Sequence, residues 1–235
     1  MSRLTPRPGQ WLAVALLLGA AACAHAQQLP PGVKSGAWTN LLEGSASAWR
    51  GYRSEVLPAG WRLDAATGVF TRSGAGGDIV TRAEYGDFEL ELEWRVGPRG
   101  NSGVFYRANE GTERVYENAP EMQIIDNAGH RDGQTPSTST GANFALNAPS
   151  ADVTKPVGEW NRARIVVVGA QVEHWLNGTK VVEYELWTPA WKAGVQGSKF
   201  RAWPSYGLAT RGRIGLQDHG DVISFRNIRI RELAR

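Results

Sequence analysis

The sequence predicts an all-β protein in which two antiparallel sheets pack face to face as a sandwich. The 235-residue chain is divided into short alternating or apolar runs, separated by Gly, Pro, Asn and Asp. This spacing is typical of sandwiches and barrels. No stretch has the period of a long amphipathic helix, which also favours an all-β class.

The clearest strand is "DFELELEWRV", Asp87 to Val96, in which apolar and charged residues alternate. One face is apolar and the other charged: Phe88, Leu90, Leu92 and Trp94 against Glu89, Glu91, Glu93 and Arg95. "NSGVFYR" follows after the turn "GPRG", which predicts a hairpin. Further strands are predicted in "EMQIID", "NFAL", "NRARIVVVG", "QVEHWLNGTKVVEYEL", "RIGLQDHG" and "VISFRNIRIREL".

Three long irregular segments interrupt the predicted strands, at residues 108–120, 127–141 and 187–212. Loops of this length in a compact domain usually border a ligand or carry function. The last segment contains Trp187, Trp191 and Trp203. We therefore predict a single sandwich domain over residues 27–235, with these loops around its site.

The N-terminal residues are predicted to be a targeting segment outside the fold. Arg3 and Arg7 precede the apolar run "WLAVALLLGAAA", which is too short for a transmembrane span but suits a signal peptide. Cleavage after "AHA" would remove residues 1–26. Alternatively, residues 1–22 are a lipoprotein signal and Cys23 carries a lipid anchor. Both alternatives predict an exported protein, either free in the periplasm or membrane-anchored.

Composition excludes several classes of function. Cys23 is the only cysteine, so the domain has no disulfide and no thiolate site. Without Arg3 and Arg7, the chain contains 24 basic and 23 acidic residues. It has no basic run of the kind that binds nucleic acid, so no nucleic-acid partner is expected. Nine of the ten tryptophans follow the targeting segment. Exposed tryptophans stack on sugar rings, although most tryptophans belong to cores.

Polar residues surround the apolar run of "PEMQIIDNAGH", residues 120–130. Alternation places Glu121, Gln123 and Ile125 on one face, with Met122 and Ile124 towards the core. Asp126 then ends the strand, either as a site residue or as a turn-forming aspartate. The polar face either lines a site or is an ordinary water-facing surface.

The neighbouring strand "NSGVFYR" is expected to complete that site. Alternation places Asn101, Gly103, Phe105 and Arg107 on one face, where Gly103 would leave a hollow. Arg107 is expected to converge there with Glu121 and Gln123.

Six motifs, in order, resemble the 3-keto-disaccharide hydrolase domain family from about Trp38 onwards. They are "YGDFELELEWRV", "GNSGVFYR", "EMQIIDNAGH", "TGANFAL", "GEWNRARIVVVGAQVEHWLNG" and "RGRIGLQDHGDVISFRNIRIREL". The resemblance implies a concanavalin-like jelly roll whose concave sheet carries the site. It further implies cleavage of 3-keto-glycosides by C2 proton abstraction, elimination and hydration.

This chemistry needs a base, an acid and a group that stabilises an enolate. The catalytic candidates are Glu121, Arg107, His130 and His219, with the two histidines approaching from the rim. Asn101, Gln123, Glu93 and Trp203 are the candidates for substrate binding. His174 is expected to belong to a cross-strand polar pair.

A divalent ion (Ca²⁺, Mn²⁺ or Mg²⁺) held by Asp126 and Glu121 is a further hypothesis, although no HxH or HExxH spacing supports it. No organic cofactor is expected. Two alternatives remain open: a non-catalytic carbohydrate-binding module, and a retaining glycosidase that uses Glu121 and Glu93 if their strands are neighbours.

Overall fold

The structure, a computed structural model, describes residues 29–74 and 76–235. The expected targeting segment, including Cys23, lies outside the described residues. In chain order, the strands are β1 (Lys34–Ser35), β2 (Thr39–Asn40), β3 (Trp49–Gly51), β4 (Trp61–Asp64), β5 (Val69–Arg72), β6 (Ile79–Thr81), β7 (Phe88–Val96), β8 (Asn101–Ala108), β9 (Glu121–Ile125), β10 (Asn161–Val168), β11 (Gln171–Leu176), β12 (Thr179–Glu185), β13 (Arg213–Leu216) and β14 (Ile223–Ala234).

These strands form two antiparallel sheets, which confirms the predicted two-sheet sandwich. The larger sheet has the order β12-β11-β10-β7-β14-β5-β4, and β1 and β2 also pair with β14. The smaller sheet has the order β3-β6-β13-β8-β9. The hairpin predicted from "GPRG" instead connects the two sheets, because β7 lies in the larger sheet and β8 in the smaller one.

The core lies between the sheets and follows the alternation in the sequence. Phe88, Leu90 and Trp94 enter it from β7, and Met122 and Ile124 enter it from β9. Each fully buried side chain of this size contributes about 1.5–3 kcal/mol. The opposite faces of the same strands, here called the outer faces, carry the polar residues.

A β-bulge interrupts β8 at Arg107. The β8–β13 register changes from Phe105↔Gly215 to Ala108↔Arg213, so β8 contains one extra residue. Arg107 has φ +53°, in the left-handed region. The bulge reverses the alternation, so that Ala108 rather than Arg107 joins Phe105 in the small apolar cluster on the outer face.

The three long segments contain short helices. A 3₁₀ turn spans Val115–Glu117, two more span Arg131–Gln134 and Pro136–Thr138, and helix α1 (Pro189–Gln196) precedes a 3₁₀ turn at Lys199–Ala202. Thr188 caps α1 by accepting the Trp191 N–H, and Pro189 occupies its first turn. Across residues 29–74 and 76–235, no helix has the length and apolar character needed to cross a membrane.

Candidate functional site

The candidate site lies on the outer face of the smaller sheet. One row across the sheet contains Val80, Gly215, Phe105 and Glu121, which pair in register. In the next row, the Gln217 N–H donates to Gly103 O, and Gly103 pairs with Gln123. Asp78 continues this row beyond β13, since its carboxylate accepts the Asp218 N–H at 2.8 Å.

The side chain of Glu121 occupies the hollow that the sequence predicts above Gly103. A Cβ atom at Gly103 would lie only 2.7 Å from Glu121 Cδ and 2.8 Å from Cγ. With its amide oriented for hydrogen bonding, Gln123 donates to Glu121 Oε1 at 3.2 Å and to Ser102 O at 2.8 Å. The carboxyl is therefore held over the sheet between Gly103 and Gln123.

The environment of Glu121 raises its pKa to about 8. Burial is the largest cause; the positive charge of Lys199 acts in the opposite direction, and the negative charge of Asp78 adds to the rise. At neutral pH, Glu121 is therefore mostly a protonated acid. A second carboxyl, that of Asp78, has its pKa raised to about 6. Burial is again the main cause, and the hydrogen bond from the Asp218 N–H partly offsets it.

The segments on both sides of β9 and the segment after α1 place a cation and aromatic rings beside Glu121. The Lys199 ammonium group lies 4.2 Å from the Phe144 ring centroid and 5.4 Å from that of Tyr116. Trp203 packs edge-on against Tyr116, with the centroids 5.5 Å apart. Lys199 is solvent-accessible, but partial burial against these rings lowers its pKa, while the charge of Glu121 raises it.

A groove of about 530 Å³ is lined in part by Lys199. Its walls include Phe144, Leu146, Asp132 and the backbone at Gly194. The groove is large enough for a sugar or a group of similar size.

Two amide oxygens near Gly103 have no hydrogen-bond partner among the residues that the structure describes. They are Oδ1 of Asn101 and Oε1 of Gln217. Both atoms are buried, and an unpaired buried acceptor is costly. Among the described residues, the protein therefore leaves two acceptors in this part of the sheet unsatisfied.

The structure places the two rim histidines next to each other. The His130 and His219 ring centroids are 6.2 Å apart, with the rings nearly perpendicular. His130 Nδ1 accepts the Asp132 N–H at 3.0 Å, which leaves Nε2 as its protonated nitrogen in the neutral form. Half of the His219 side chain is exposed.

Arg107 does not lie on the face on which alternation placed it, because of the bulge in β8. Its guanidinium group donates to Gly86 O at 3.1 Å, to Gly169 O at 2.8 Å and to the Asp87 carboxylate at 3.1 Å. Only 2% of the residue is exposed. The expected convergence with Glu121 and Gln123 is therefore wrong, and Lys199 is the cation that acts on Glu121.

Glu93 lies on the other side of the molecule, on the outer face of the larger sheet. Its Oε2 accepts a hydrogen bond from Arg226 Nε at 2.7 Å. Because β7 and β9 belong to different sheets, Glu93 and Glu121 cannot form the pair of carboxyls about 5 Å apart that a retaining glycosidase needs. The prediction that Glu93 binds substrate together with Glu121 is therefore wrong.

Asp126 forms a turn. Its carboxylate accepts the N–H groups of Arg99, Ala128 and Gly129 at 2.8–3.1 Å. Burial tends to raise its pKa, but these bonds outweigh burial and lower it.

Among the described residues, no three His, Cys, Asp or Glu side chains are grouped closely enough to hold a metal ion. Asp126 directs both oxygens to backbone donors, and Glu121 favours a proton. The two residues therefore do not fit the hypothesised divalent ion.

His174 lies in the core, where Nε2 bonds the Tyr106 hydroxyl and Nδ1 donates to Gly141 O, both at 2.9 Å. Burial lowers its pKa to about 4, although the bond to Gly141 O acts against this. His174 is therefore a neutral structural histidine.

Sequence reasoning missed Asp78, Gln217 and Lys199. The alternation in "RIGLQDHG" contains a signal for Gln217, because it places Gln217 on the same face as Gly215. Asp78, directly before the apolar run of β6, has the form of an ordinary turn residue. Lys199 is on a segment whose approach to Glu121 depends on the tertiary fold.

Comparisons with known proteins match most of the chain. The 3-keto-alpha-glucoside-1,2-lyase-like domain matches residues 37–231. A 3-keto-disaccharide hydrolase of Bacteroides thetaiotaomicron is 35% identical, over 88% of this chain and 81% of its own length.

Solved structures show the same architecture. A candidate glycosyl hydrolase from Parabacteroides distasonis aligns with a TM-score of 0.77 and 31% identity, covering 83% of this chain and 93% of its own. A galectin-like protein of unknown function from Bacillus subtilis aligns at 0.53 and 13% identity, over 86% of this chain and 99% of its own. The second likeness concerns the fold alone, and it agrees with the jelly-roll sandwich.

Proposed function

Because the chain belongs to the 3-keto-alpha-glucoside-1,2-lyase-like domain family, we propose that it cleaves 3-keto-glycosides by elimination followed by hydration. The substrate class is taken from the matched domain and from the similar hydrolase of Bacteroides thetaiotaomicron. The route is proposed on the chemistry of the site.

The observation that carries the proposal is the pair of carboxyls with separated pKa values above one sheet face. Asp78, with a pKa of about 6, is mostly ionised at pH 7, and Glu121, with a pKa of about 8, is mostly protonated. The Glu121 carboxyl lies over Gly103 of β8, so only β13 separates it from the β6 side of the sheet, where Asp78 lies. Because adjacent strands are about 4.8 Å apart, the two carboxyls are separated by roughly 10 Å, which is enough for a sugar ring. Such a pair supplies a base and an acid at the same pH.

In the elimination, Asp78 takes the C2 proton, which is acidic because the C3 ketone turns the resulting carbanion into an enolate. The electron pair of the broken C–H bond then forms the C1–C2 double bond as the bond from C1 to the leaving oxygen breaks. Glu121 gives its proton to that oxygen. Lys199, beside Glu121, stabilises the negative charge that develops on the oxygens.

The hydration reverses these proton transfers. The Glu121 carboxylate takes a proton from water as the water oxygen bonds to C1, and protonated Asp78 returns a proton to C2. Both carboxyls recover their initial states, and the products are the 3-keto-sugar and the free leaving group. The unpaired oxygens of Asn101 and Gln217 would orient the sugar hydroxyls, and the groove beside Lys199 would hold the leaving group.

The test is turnover of a 3-keto-disaccharide in D₂O, followed by NMR. We expect deuterium at C2 of the 3-keto-sugar product. In the hydration step C2 receives its hydrogen from the Asp78 carboxyl, and the proton of that carboxyl exchanges with solvent. The unoxidised disaccharide should remain intact. Product without deuterium at C2, equal turnover of both sugars, or tight binding of intact glycans with no product would overturn the proposal; the last result would favour the non-catalytic module.

We also propose that the protein is exported, with support from the apolar run after Arg3 and Arg7. Mass spectrometry of the purified protein from its native host would give the mature N-terminus. A start at Gln27 means a cleaved signal peptide, a start at a lipid-modified Cys23 means a lipoprotein, and an uncut Met1 would contradict export by either route.

A further inference from the structure

The outer face of the larger sheet carries a lattice of ion pairs. Three glutamates along β7 bond arginines of the adjacent strands: Glu89 and Glu91 each bond one arginine of β10 and one of β14, whereas Glu93 bonds one arginine of β14. The pairs are Glu89 with Arg164 and Arg231, Glu91 with Arg162 and Arg229, and Glu93 with Arg226. Guanidinium groups also lie over tryptophan rings: Arg229 and Arg231 over Trp38 at 4.4 and 4.5 Å, and Arg226 over Trp160 at 4.1 Å.

A second bulge opens this lattice at Asn227. The β14–β7 register changes from Arg226↔Glu93 to Arg229↔Glu91, so β14 contains one extra residue opposite Leu92. Asn227 has φ +52° and is exposed. A non-glycine residue in the left-handed region is uncommon, and bulges of this kind often redirect a side chain next to a functional site.

A cavity of about 520 Å³ lies at the bulge. Its lining combines an aromatic ring, two side-chain amides, two carboxylates and two guanidinium groups. These belong to Trp38, Asn40, Asn227, Glu91, Glu93, Arg162 and Arg229, and Leu92 also lines the cavity. This volume lies within the range of small-ligand sites.

The charges of the cavity balance, and several hydrogen-bonding groups remain available. The lining contains two glutamates, Glu91 and Glu93, and two arginines, Arg162 and Arg229, so its formal charge is zero. Among the described residues, Glu93 Oε1 and the Asn227 amide have no hydrogen-bond partner, and about half of the Arg162 side chain is exposed. The lining therefore presents planar donors and acceptors beside an indole ring, without a net field that would attract an ion.

We propose that this cavity is a second, non-catalytic binding site for a neutral saccharide. A pyranose ring has an apolar C–H face that can pack on the exposed part of Trp38, beside the arginines that cover the rest of the ring. Its hydroxyl groups match the amide, carboxylate and guanidinium groups around the cavity. The site lies on the opposite face of the sandwich from Glu121. It would hold the protein on a glycan while the other face remains free.

The test is binding of the purified protein to an array of neutral gluco-, manno-, galacto- and xylo-oligosaccharides, with uronic-acid and sulfated oligosaccharides on the same array. Calorimetry then measures Kd for the best neutral binder. We expect Asn227→Gly and Trp38→Ala each to weaken that Kd by about tenfold, which corresponds to the loss of one stacking or hydrogen-bonding contact. Asn227→Gly suits the left-handed backbone, so it tests the site without loss of folding.

The matched control is Trp160→Ala, which removes a tryptophan packed on arginine from the same face but outside the cavity. It should leave Kd unchanged, as should Glu121→Gln, because that change lies at the other site. Retention of acidic glycans only, retention of no neutral glycan, or equal losses in Trp38→Ala and Trp160→Ala would overturn the proposal.

Discussion

Glu121 and Asp78 are both acids above the same sheet face, but their surroundings give them different proton affinities. Glu121 lies over Gly103, and among the residues that the structure describes only Gln123 donates a hydrogen bond to its carboxyl, so its charged form is poorly solvated. Asp78 is half-buried and accepts the Asp218 N–H, which favours its charged form. The site therefore separates acid and base by degree of burial, using residues of the same chemical type.

The first prediction concerns the pH dependence of kcat/KM. Asp78 must be ionised, so the rate should rise as pH increases through about 6; Glu121 must be protonated, so the rate should fall as pH increases through about 8. Glu121→Gln should lower kcat by about 10²–10⁴-fold and remove the upper limb. A stopped assay from pH 4 to 10 measures both limbs. If the upper limb remained in Glu121→Gln, a group other than Glu121 would be responsible for it.

Lys199 provides a second prediction at the same scale. Its positive charge lowers the pKa of Glu121, so Lys199→Met should move the upper limb to higher pH as well as reduce kcat. Lys192→Met, which changes an exposed lysine of α1, is the matched control and should leave the profile in place. An unmoved limb in Lys199→Met would mean that the two groups do not interact.

Between elements, the position of the Glu121 side chain of β9 depends on Gly103 of β8, which has no side chain. Phe105 pairs with Glu121 and Gly103 with Gln123, so the Glu121 side chain must lean over Gly103 to reach the site. Gly103→Ala should displace Glu121 and lower kcat by at least about tenfold, with less effect on folding, because the carboxyl end of a side chain can move. Gly97→Ala, where a Cβ meets nothing closer than 4.0 Å, is the control. Equal kcat in the two variants would contradict this arrangement.

Because of the bulge in β8, the Arg107 side chain has a structural role. Its three hydrogen bonds connect β8 to Gly86, Asp87 and Gly169 at one end of the sandwich. Arg107→Ala should lower the free energy of unfolding by about 2–4 kcal/mol, since it removes a buried guanidinium group and leaves three partly buried acceptors without this donor. Urea denaturation measures this loss. The pH optimum of the remaining folded enzyme should be unchanged, and a shifted optimum would return Arg107 to the site.

The alternation in β7 and β9 was sufficient to predict both layers of the sandwich and the polar face with Glu121 and Gln123. It failed at Arg107 because one extra residue reverses every later position, and nothing in "NSGVFYR" marks that insertion. It also failed at Glu93, since periodicity gives the face of a strand but not the sheet to which the strand belongs. Asp78 and Lys199 reach the site from segments remote in sequence, so only the tertiary fold places them beside Glu121.

For the molecule as a whole, the proton on Glu121 links function to stability. In the unfolded chain this carboxyl ionises near its ordinary pKa of 4.5, whereas in the folded protein it ionises near 8. The folded state thus binds more protons between these values, and its stability decreases as pH rises from about 4.5 to 8.

Glu121→Gln should remove this dependence and increase the free energy of unfolding at pH 8 by ~2–4 kcal/mol. Thermal or urea unfolding at pH 5 and pH 8 measures the difference between the two proteins. Gln123→Glu is the opposite control, because a second buried carboxyl should steepen the loss of stability with pH. Parallel stability curves for Glu121→Gln and the unmodified protein would show that this carboxyl does not titrate in the way its burial implies.

The position of β14 has a consequence for the order in which the molecule forms during synthesis. This strand lies between β7 and β5 in the middle of the larger sheet, yet it consists of residues 223–234. Until those residues leave the ribosome, two halves of the sheet lack their shared partner and expose unpaired strand edges. Nascent chains stalled with β14 still in the exit tunnel should therefore be digested by protease, and should depend on chaperones that bind extended segments until translation has passed this strand.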